Sequence, residues 1–359
     1  MEILKFVKKV QPPYVTGTLT TPAGTARRVA TSWSRQDRWG MIRSRISAFR
    51  MAYIVEPGLY AVGSPTKDSD VFVTANYKLT FDILRRSLYQ IDAWILVLDT
   101  KGINVWCAAG KGTFGTDELV RQIRLSKLDS VVEHRRIILP QLGAVGVSAS
   151  QAQKITGFRV FFGPVDARDI PAYVALGRKK TKEMSTIRFN ILDRLVLTPM
   201  EINPAMKKFP WFALAVLVLF GLQPSGILFS SIWHPGMTFL LFGLLAVLAG
   251  AFVTPVLLPF VPFRSFAVKG WIVGMAMVAG AVLIIDPLPL HNMLLLVSVY
   301  VFFPALSSYI ALQFTGSTTF TGMSGVKKEL KIGITLYATA TAAFIIMVVV
   351  YKLKEWEVI

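Results

Sequence analysis

The pattern of apolar and polar positions divides the chain into two parts near Lys208. Before it, short apolar runs alternate with mixed segments, whereas from Phe209 onward charged residues nearly vanish over long stretches. Crossing a bilayer takes a helix of about 20 mostly apolar residues. Five segments of the second part are long enough, and they predict membrane spans at residues 210–230, 237–260, 266–285, 290–314 and 332–351.

Strand-like and helix-like patterns alternate in the first part. "AWILVLDT" (93–100) is a nearly continuous apolar run, as expected for a strand buried on both faces. "KLTFDILRRSLYQI" (78–91) has apolar residues at helical spacing, and "TDELVRQIRLSKL" (116–128) has acidic residues in its first turn. The alternation predicts an α/β domain with a mainly parallel, Rossmann-like sheet.

These patterns predict four regions along the chain. We interpret the basic, turn-rich residues 1–57 as a lead-in of low regularity, and residues 58–180 as the α/β domain. A linker is expected at 181–208 and an all-α transmembrane domain of five helices at 209–359. We expect no cleavable signal peptide, because Glu2 and Lys5 stand where its apolar core would be.

Charge adds an orientation to this plan. The formal net charge is +18, but no nucleic-acid-binding motif accompanies it, so we expect no nucleic-acid partner. Lysine and arginine are concentrated before the first span and in every second loop after it. This bias predicts a cytoplasmic first domain, an inner (cytoplasmic) membrane location and an external C-terminus. Lys352 and Lys354 oppose the assignment. Asp286, His234 and His291 fall at span ends, so the spans are interpreted as an anchor, with a transporter as the alternative.

Candidate chemistry centres on Cys107, the only cysteine, which excludes an internal disulfide and an all-cysteine cluster within one chain. It follows the strand at 93–100, where α/β sheets bind ligands. Gly110-Lys111 suggests a phosphate loop, but Val105 and Gly112 break that motif. His134, the one histidine of this half, is a candidate base for a nucleophilic thiol, although nothing in the sequence ties it to Cys107.

A short helix is predicted from Ile103 to Ala109, ended by glycines. Its spacing puts Asn104, Cys107, Ala108 and Lys111 on one narrow face, with Trp106 pointing elsewhere as a core anchor. Such a face could hold a flat ligand with a soft metal above the sulfur. A small buried cysteine that merely fills the core is the other interpretation, and the pattern alone favours it.

Three features of the sequence resemble the HgcA family, the membrane-anchored corrinoid proteins of the two-component mercury-methylation system. They are "VTANYKLTFDILRR", "DAWILVLDTKGINVWCAAGKGTFGT" and the five spans behind them. The signature N-V-W-C-A-A-G-K stands intact at residues 104–111. The soluble domain of this family is similar to the corrinoid-binding domain of the corrinoid iron–sulfur protein of the acetyl-CoA pathway.

The resemblance implies a cap helix below a corrin ring. Cys107 would be the lower axial ligand of the cobalt in cobalamin or a related corrinoid, bound base-off. The rest of the signature would shape the helix: Asn104, Val105, Trp106, Ala108, Ala109, Gly110 and Lys111. Thr74, Ala75 and Asn76 would line the ring or its tail.

It also implies a reaction and partners. Cobalt(I) would accept methyl from a methylated pterin or a methyl-donor protein, and methyl-cobalt(III), with the thiolate below it, would pass methyl to mercury(II) as a carbanion or a radical. An HgcB-like ferredoxin with two [4Fe-4S] clusters would donate electrons and deliver mercury. Two alternatives stay open: a membrane corrinoid carrier of methyl groups in carbon metabolism, and a non-catalytic binding module or transporter with a structural Cys107.

Overall fold

The computed structural model describes residues 12–224, 226–227, 233, 235–316, 318 and 323–359. These residues form two compact units, divided between Arg188 and Phe189. His234 and parts of the predicted loops at 231–236 and 315–331 lie outside the described residues.

The described part of the first unit is built on a seven-stranded sheet with the order β1-β2-β3-β5-β4-β6-β7. The pairs β1–β2 and β3–β5 are antiparallel, and the remaining four pairs are parallel. The predicted mainly parallel sheet is therefore confirmed. The strands are β1 Val15–Thr21, β2 Gly24–Val29, β3 Gly58–Val62, β4 Val71–Ala75, β5 Ala93–Leu98, β6 Arg136–Leu139 and β7 Arg159–Phe162.

Helices cover both faces of this sheet. The alternation along β5 shows it: Trp94, Leu96 and Leu98 belong to one buried cluster, with α3 to α6, whereas the intervening residues belong to a second, with α2 and α7. The helices are α1 Arg35–Ile46, α2 Lys78–Ser87, α3 Val105–Lys111, α4 Thr116–Leu125, α5 Leu128–Val131, α6 Ala149–Thr156 and α7 Ile170–Ala175.

The prediction of low regularity for residues 1–57 is wrong for the described residues from 12 onward. Strands β1 and β2 form a hairpin, β2 pairs in parallel with β3, and α1 follows. The hairpin is rich in threonine and arginine and has few large apolar residues, so it lacks the alternation that marks a half-buried strand.

The second unit is helical among its described residues. Its helices are α8 Ile191–Leu197, α9 Pro199–Gly221, α10 Pro235–Leu248, α11 Thr254–Leu257, α12 Phe266–Ile285, α13 Met293–Gln313 and α14 Met323–Glu355. Five stretches of helix in this part are long and apolar enough to cross a bilayer: Ile191–Gly221, Pro235–Leu257, Phe266–Ile285, Met293–Gly316 and Gly325–Glu355. The five predicted helices are confirmed.

The first span differs from its predicted range of 210–230. Its helix ends at Gly221, after which Leu222–Gln223 pairs with Gly226–Ile227 in a short antiparallel turn. Pro224 explains the end, because proline cannot donate the next helical hydrogen bond and disfavours helix in the residue before it. Residues 225 and 228–230 of the predicted range lie outside the described ones.

Two lysines are buried in the second unit at the ends of other helices. Lys269 donates its ammonium group to the carbonyl of Leu258, just after α11. Lys352 is 3.3 Å from the carbonyl oxygen of Phe220, at the end of α9. Carbonyls at a helix C-terminus lack intrahelical donors and carry partial negative charge, so each lysine stabilises a helix end.

Candidate functional site

The loop after β5 carries Cys107 to the carboxyl edge of the sheet. Strands β4, β5, β6 and β7 are mutually parallel, so their carboxyl ends meet at one edge. The chain passes from β4 to β5 on one side of β4, and then to β6 on the other. A reversal of this kind leaves a crevice at the strand ends, where open α/β sheets bind ligands.

The Asn76 side chain, at the end of β4, holds the loop between β5 and α3. Its Oδ1 atom accepts hydrogen bonds from the Thr100 amide at 3.0 Å, the Thr100 hydroxyl at 2.9 Å and the Gly102 amide at 2.9 Å. Its Nδ2 atom donates to Asp99 at 3.2 Å. Asn76 is buried, so its amide serves to position the loop that leads into α3.

Asp99 completes this loop. Burial acts to raise the pKa of its carboxyl group, but hydrogen bonds from the side chain and the backbone amide of Lys101 outweigh burial and lower the pKa. The Glu118 carboxylate accepts a hydrogen bond from the Asp99 amide at 2.9 Å, which ties α4 to the end of β5. The loop after β5 is therefore held by hydrogen bonds to Asn76, which follows β4, and to Glu118 on α4.

Helix α3 is short and capped at both ends. The side chain of Asn104 accepts a hydrogen bond from the Cys107 amide at 2.9 Å, which is the usual N-cap arrangement. Gly112 ends the helix with φ of 80°, a left-handed conformation that favours glycine. The observed helix lies two residues later than the predicted 103–109.

The inner face of α3 differs from the predicted one. Val105, Ala108 and Ala109 are buried in the core, whereas Trp106 and Cys107 are half-buried. The prediction that Trp106 anchors the helix in the core is therefore wrong, as is the placement of Ala108 beside Cys107 on the outer face. The small residues let the helix lie close to the core, and its spacing then directs Trp106 outward.

Beyond Cys107, the outer face continues with Gly110 and Lys111, both exposed. They follow Cys107 by three and four residues, so they share its side of the helix. A Cβ atom built on Gly110 meets no atom within 4 Å. The outer face of the helix is therefore open at Gly110, and Cys107 beside it is half-exposed.

Two glycines that the sequence reasoning missed support α3 from behind. A Cβ atom on Gly146 would lie 2.2 Å from the Phe114 carbonyl oxygen and 3.0 Å from the Ala109 Cα. A Cβ atom on Gly143 would lie 2.5 Å from the buried Phe114 ring. The "LGAVGV" segment after β6 carried the signal, since repeated glycines between apolar residues indicate close backbone approach.

A cavity of about 280 Å³ opens beside α3 at the ends of β4, β6 and β7. Its lining is mainly apolar and includes Val105 of α3 and Thr74 of β4. Of the three residues predicted to line a ligand in and just after β4, only Thr74 borders this cavity. Ala75 lies in the core and the amide of Asn76 is bonded to the loop.

Acidic residues stand at the rim of this cavity. Asp166 receives hydrogen bonds from the Arg168 guanidinium at 2.9 Å and from the Arg168 amide at 2.9 Å. Burial acts to raise the pKa of Asp166, but these contacts outweigh it and lower the pKa. Asp166 is therefore ionised at neutral pH, and its charge is balanced by Arg168.

Two further interpretations of Cys107 are a nucleophilic thiol with a histidine base and a metal site with several side-chain ligands. His134 precedes β6, so it lies toward the amino edge of the sheet, and its ring bonds the Ser69 carbonyl at 2.9 Å. It serves the fold there and cannot act as a base for Cys107. Among the described residues, no group of three or more His, Cys, Asp or Glu side chains could hold a metal ion.

The carboxyl edge of the sheet, with Cys107, belongs to a segment that matches a known protein family. Residues 48–174 match a family model described as CO dehydrogenase/acetyl-CoA synthase delta subunit. The segment runs from just after α1 to the last turn of α7 and includes α3.

Curated relatives agree with this match. The chain is 33% identical over 122 residues to the acetyl-CoA decarbonylase/synthase complex subunit gamma of Methanopyrus kandleri, covering 33% of this chain and 26% of that protein. The corresponding subunit of Archaeoglobus fulgidus is 34% identical over 122 residues, with shares of 33% and 26%. The corrinoid/iron-sulfur protein large subunit of Moorella thermoacetica is 32% identical over 121 residues, with shares of 33% and 27%. The chain thus spans about a quarter of the length of these relatives.

Proposed function

We propose that the first unit binds a corrinoid and takes part in methyl transfer, with Cys107 as the lower axial ligand of the cobalt. One observation carries the proposal: a half-exposed thiol on a rigidly held helix lies at the ligand-binding edge of a sheet. The family match at residues 48–174 contains Cys107, and the chain is similar over 121 residues to a corrinoid/iron-sulfur protein large subunit.

The residues present fit such a group. One sulfur alone does not complete a metal site, but it can be an axial ligand to a metal whose other positions a macrocycle fills. The open surface at Gly110 leaves room for a flat ring over the sulfur. The cavity beside Val105 is mainly apolar, which suits a displaced aromatic base and hence the base-off form.

Each part of the site has its own task in this proposal. A bound corrinoid would supply a cobalt centre that carries a methyl group between a donor and an acceptor. Cys107 would hold the cobalt through a strongly donating thiolate, while Asn104 and Gly112 fix the ends of its helix. Trp106, Gly110 and Lys111 would border the ring, and Val105, Ala108 and Ala109 would seat the helix on the core.

We further propose mercury(II) as the methyl acceptor, with methylmercury as the product. Its support is the intact signature at residues 104–111 together with the five apolar helices. The chain has one cysteine and cannot hold a four-cysteine cluster, so a two-cluster ferredoxin is the proposed electron donor. The proposed methyl donor is a methylated pterin or a methyl-donor protein. The helices would anchor the chain in an inner membrane, with the first unit in the cytoplasm.

The direct test is the optical spectrum of the full chain, reconstituted with cobalamin in detergent, compared with that of Cys107→Ala. We expect a base-off spectrum with a thiolate–cobalt signature in the wild type, and loss of that signature in the variant with cobalamin still bound. Identical spectra for the two proteins would contradict the ligand assignment. Failure of the wild type to bind cobalamin would favour a binding module or transporter.

A second candidate function is a methyl carrier of carbon metabolism with another acceptor. Its support is that the matched relatives carry acetyl-CoA decarbonylase/synthase names. Single-turnover transfer from the methyl-loaded chain distinguishes the two functions. Rapid formation of methylmercury on addition of mercury(II) supports the first candidate. If the chain keeps its methyl group in the presence of mercury(II) but transfers it to a low-potential metal or a thiol acceptor, the second candidate is supported.

A further inference from the structure

Helix α1 exposes its large apolar residues and buries polar ones. Surface helices normally bury an apolar stripe and expose their charged residues. In α1 the buried residues are Asp37, Gly40 and Ser44, whereas Trp39 is 64% exposed and Ile42 is 44% exposed. The exposed apolar stripe continues through Ile46, which is 43% exposed and lies one turn after Ile42.

The inner face of α1 is held by charge. Asp37 lies 2.8 Å from the Lys78 ammonium and 2.8 Å from the Arg85 guanidinium, both on α2. These three side chains are nearly or fully buried. The ion pairs attach α1 to α2, and the apolar stripe lies on the opposite side of the helix.

Positive charge surrounds the apolar stripe. Residues 12–57 contain two acidic side chains, the buried Asp37 and Glu56, whose carboxylate lies 2.6 Å from Arg27. The same stretch has seven arginines: Arg27, Arg28, Arg35, Arg38, Arg43, Arg45 and Arg50. Arg35, Arg38 and Arg43 are exposed on α1 itself.

A depression beside α1 extends this positive surface. It is lined by Ser32, Trp33, Arg38, Met41 and Arg86. Arg86 is exposed, with its guanidinium 5.1 Å from the Trp33 ring centroid. Two arginines that flank an aromatic ring, with a serine hydroxyl nearby, suit the phosphate of a headgroup.

We propose that this surface rests on a bilayer that contains anionic lipid. We define the α1 surface as Trp39, Ile42 and Ile46 with Arg35, Arg38 and Arg43. Tryptophan and aliphatic residues on one side, bordered by arginine, are typical of helices that lie in the membrane interface. Among its described residues the chain also has five helices long and apolar enough to cross a bilayer, and in this proposal they tether the first unit to a membrane. Anionic headgroups complement the local positive charge.

The test uses the full chain in nanodiscs without corrinoid, so its result does not depend on the proposed function. In a Cys107→Ser background, Ile42→Cys is labelled with an environment-sensitive fluorophore. Leu125→Cys is the matched control, because Leu125 is an aliphatic residue of the same unit that is 64% exposed on α4. Quenching by lipids with brominated tails is measured with phosphatidylcholine alone and with added phosphatidylglycerol.

We expect quenching several-fold greater at position 42 than at 125, and greater with phosphatidylglycerol. Replacing Arg35, Arg38 and Arg43 with glutamine should remove the dependence on anionic lipid. Equal quenching at the two positions, or none at position 42, overturns the proposal. Shielding of position 42 by an added acidic ferredoxin, without lipid quenching, assigns the surface to a protein partner and also overturns it.

Discussion

The substitution Gly110→Ala, which adds one carbon atom, is the most direct test of where a corrin ring would bind. Gly110 lies on the outer face of α3, near the sulfur of Cys107, and has open space around it. Alanine favours helix over glycine by up to about 1 kcal/mol. A methyl group there therefore costs the free protein nothing, but it would intrude on a ring seated over the sulfur.

We accordingly expect Gly110→Ala to keep or slightly raise the stability of the first unit and to weaken cobalamin binding. A tenfold loss in affinity would correspond to roughly 1.4 kcal/mol of steric conflict. Spectroscopic titration of the full chain measures the affinity, and hydrogen exchange in α3 measures the stability. Unchanged affinity would place the ring elsewhere.

Gly146→Ala is the contrasting variant. Its Cβ atom would meet the backbone of Phe114 and Ala109 behind α3, where neither can easily retreat. Overpacking of this kind costs about 1–3 kcal/mol. We expect faster hydrogen exchange in α3 together with weaker cobalamin binding. Wild-type exchange would show that the loop after β6 does not support the helix.

Asn76→Ala should loosen the loop that leads to Cys107. The variant removes the acceptor for the Thr100 and Gly102 amides, whereas the Thr100 hydroxyl keeps the Ile103 carbonyl at 2.6 Å. A buried donor left without a partner costs about 1–3 kcal/mol. Hydrogen exchange across residues 99–107 should rise, and more than in the N-cap variant Asn104→Ala, which costs about 1 kcal/mol. Equal exchange in the two variants would contradict the assigned role.

Sequence could predict some of these residues and not others. Cys107 stood out as a single thiol after a buried strand, and the spacing around it predicted a helix. The direction of Trp106 could not be predicted, because in a seven-residue helix the inner face depends on what lies behind it. That support comes from Phe114 and from the glycines after β6, residues distant from the cysteine or without a side chain.

Among the elements, α1 depends on buried charge. Asp82, like Asp37, contacts both bases of α2: it lies 2.7 Å from Lys78 and 2.8 Å from Arg85. All four side chains are nearly or fully buried. Removing one member of such a group leaves an uncompensated charge in the protein interior, whereas exposed pairs contribute little.

Lys78→Met should therefore release α1, at a cost of about 3–5 kcal/mol. Hydrogen exchange over residues 35–46 of the full chain should rise sharply. Glu56→Gln is the control, since the Arg27–Glu56 pair is about half-exposed and contributes at most about 1 kcal/mol. Similar exchange in the two variants would show that the exposed apolar face, and not the ion pairs, holds the helix.

The pH dependence of this attachment follows from Asp37. Burial acts to raise the pKa of its carboxyl group, but hydrogen bonds from Lys78 and the Ser34 amide, with the charges of Lys78 and Arg85, hold it well below its usual range. A carboxyl group whose pKa falls on folding stabilises the fold above its unfolded pKa of about 4, and this contribution is lost as the pH falls through the folded value. Tryptophan fluorescence should show α1 detaching only below about pH 4. Detachment between pH 5 and 7 would contradict this sign.

Sequence patterns found the elements that apolar residues define. Strands β3 to β7 were recognisable because β-branched and aromatic runs mark buried strands. Strands β1 and β2 were missed because threonine and arginine dominate them, and α1 was missed because arginine and other polar residues outnumber its few apolar ones. The spacing of apolar residues along the sequence reveals the buried face of an element only where the buried residues are themselves apolar.

For the whole molecule, the loss of charge along the sequence put the boundary near Lys208, whereas the two units divide between Arg188 and Phe189. The predicted linker at 181–208 contains α8 and the first turns of α9. Lys352, which counted against the predicted orientation, is buried against the end of α9. A lysine committed to capping a helix does not report on the side of the membrane. Its position could not be foreseen, because it depends on a residue 132 positions away.

The predicted orientation can be tested with reporters in cells. A fluorescent protein that matures only in the cytoplasm should stay dark when fused after Ile359, because an odd number of spans would precede it. The same reporter fused after Arg264, behind two spans, should fluoresce. The reverse pattern would place the first unit outside.

Cys107 is the only thiol in the chain, and it is half-exposed. A thiol-specific reagent therefore has one point of attack per molecule, and each equivalent consumed counts one free sulfur. A group seated on that sulfur withdraws it from the count. If membranes are alkylated first and this chain is then purified, the fraction that carries the label measures how much of the protein in the cell was unloaded.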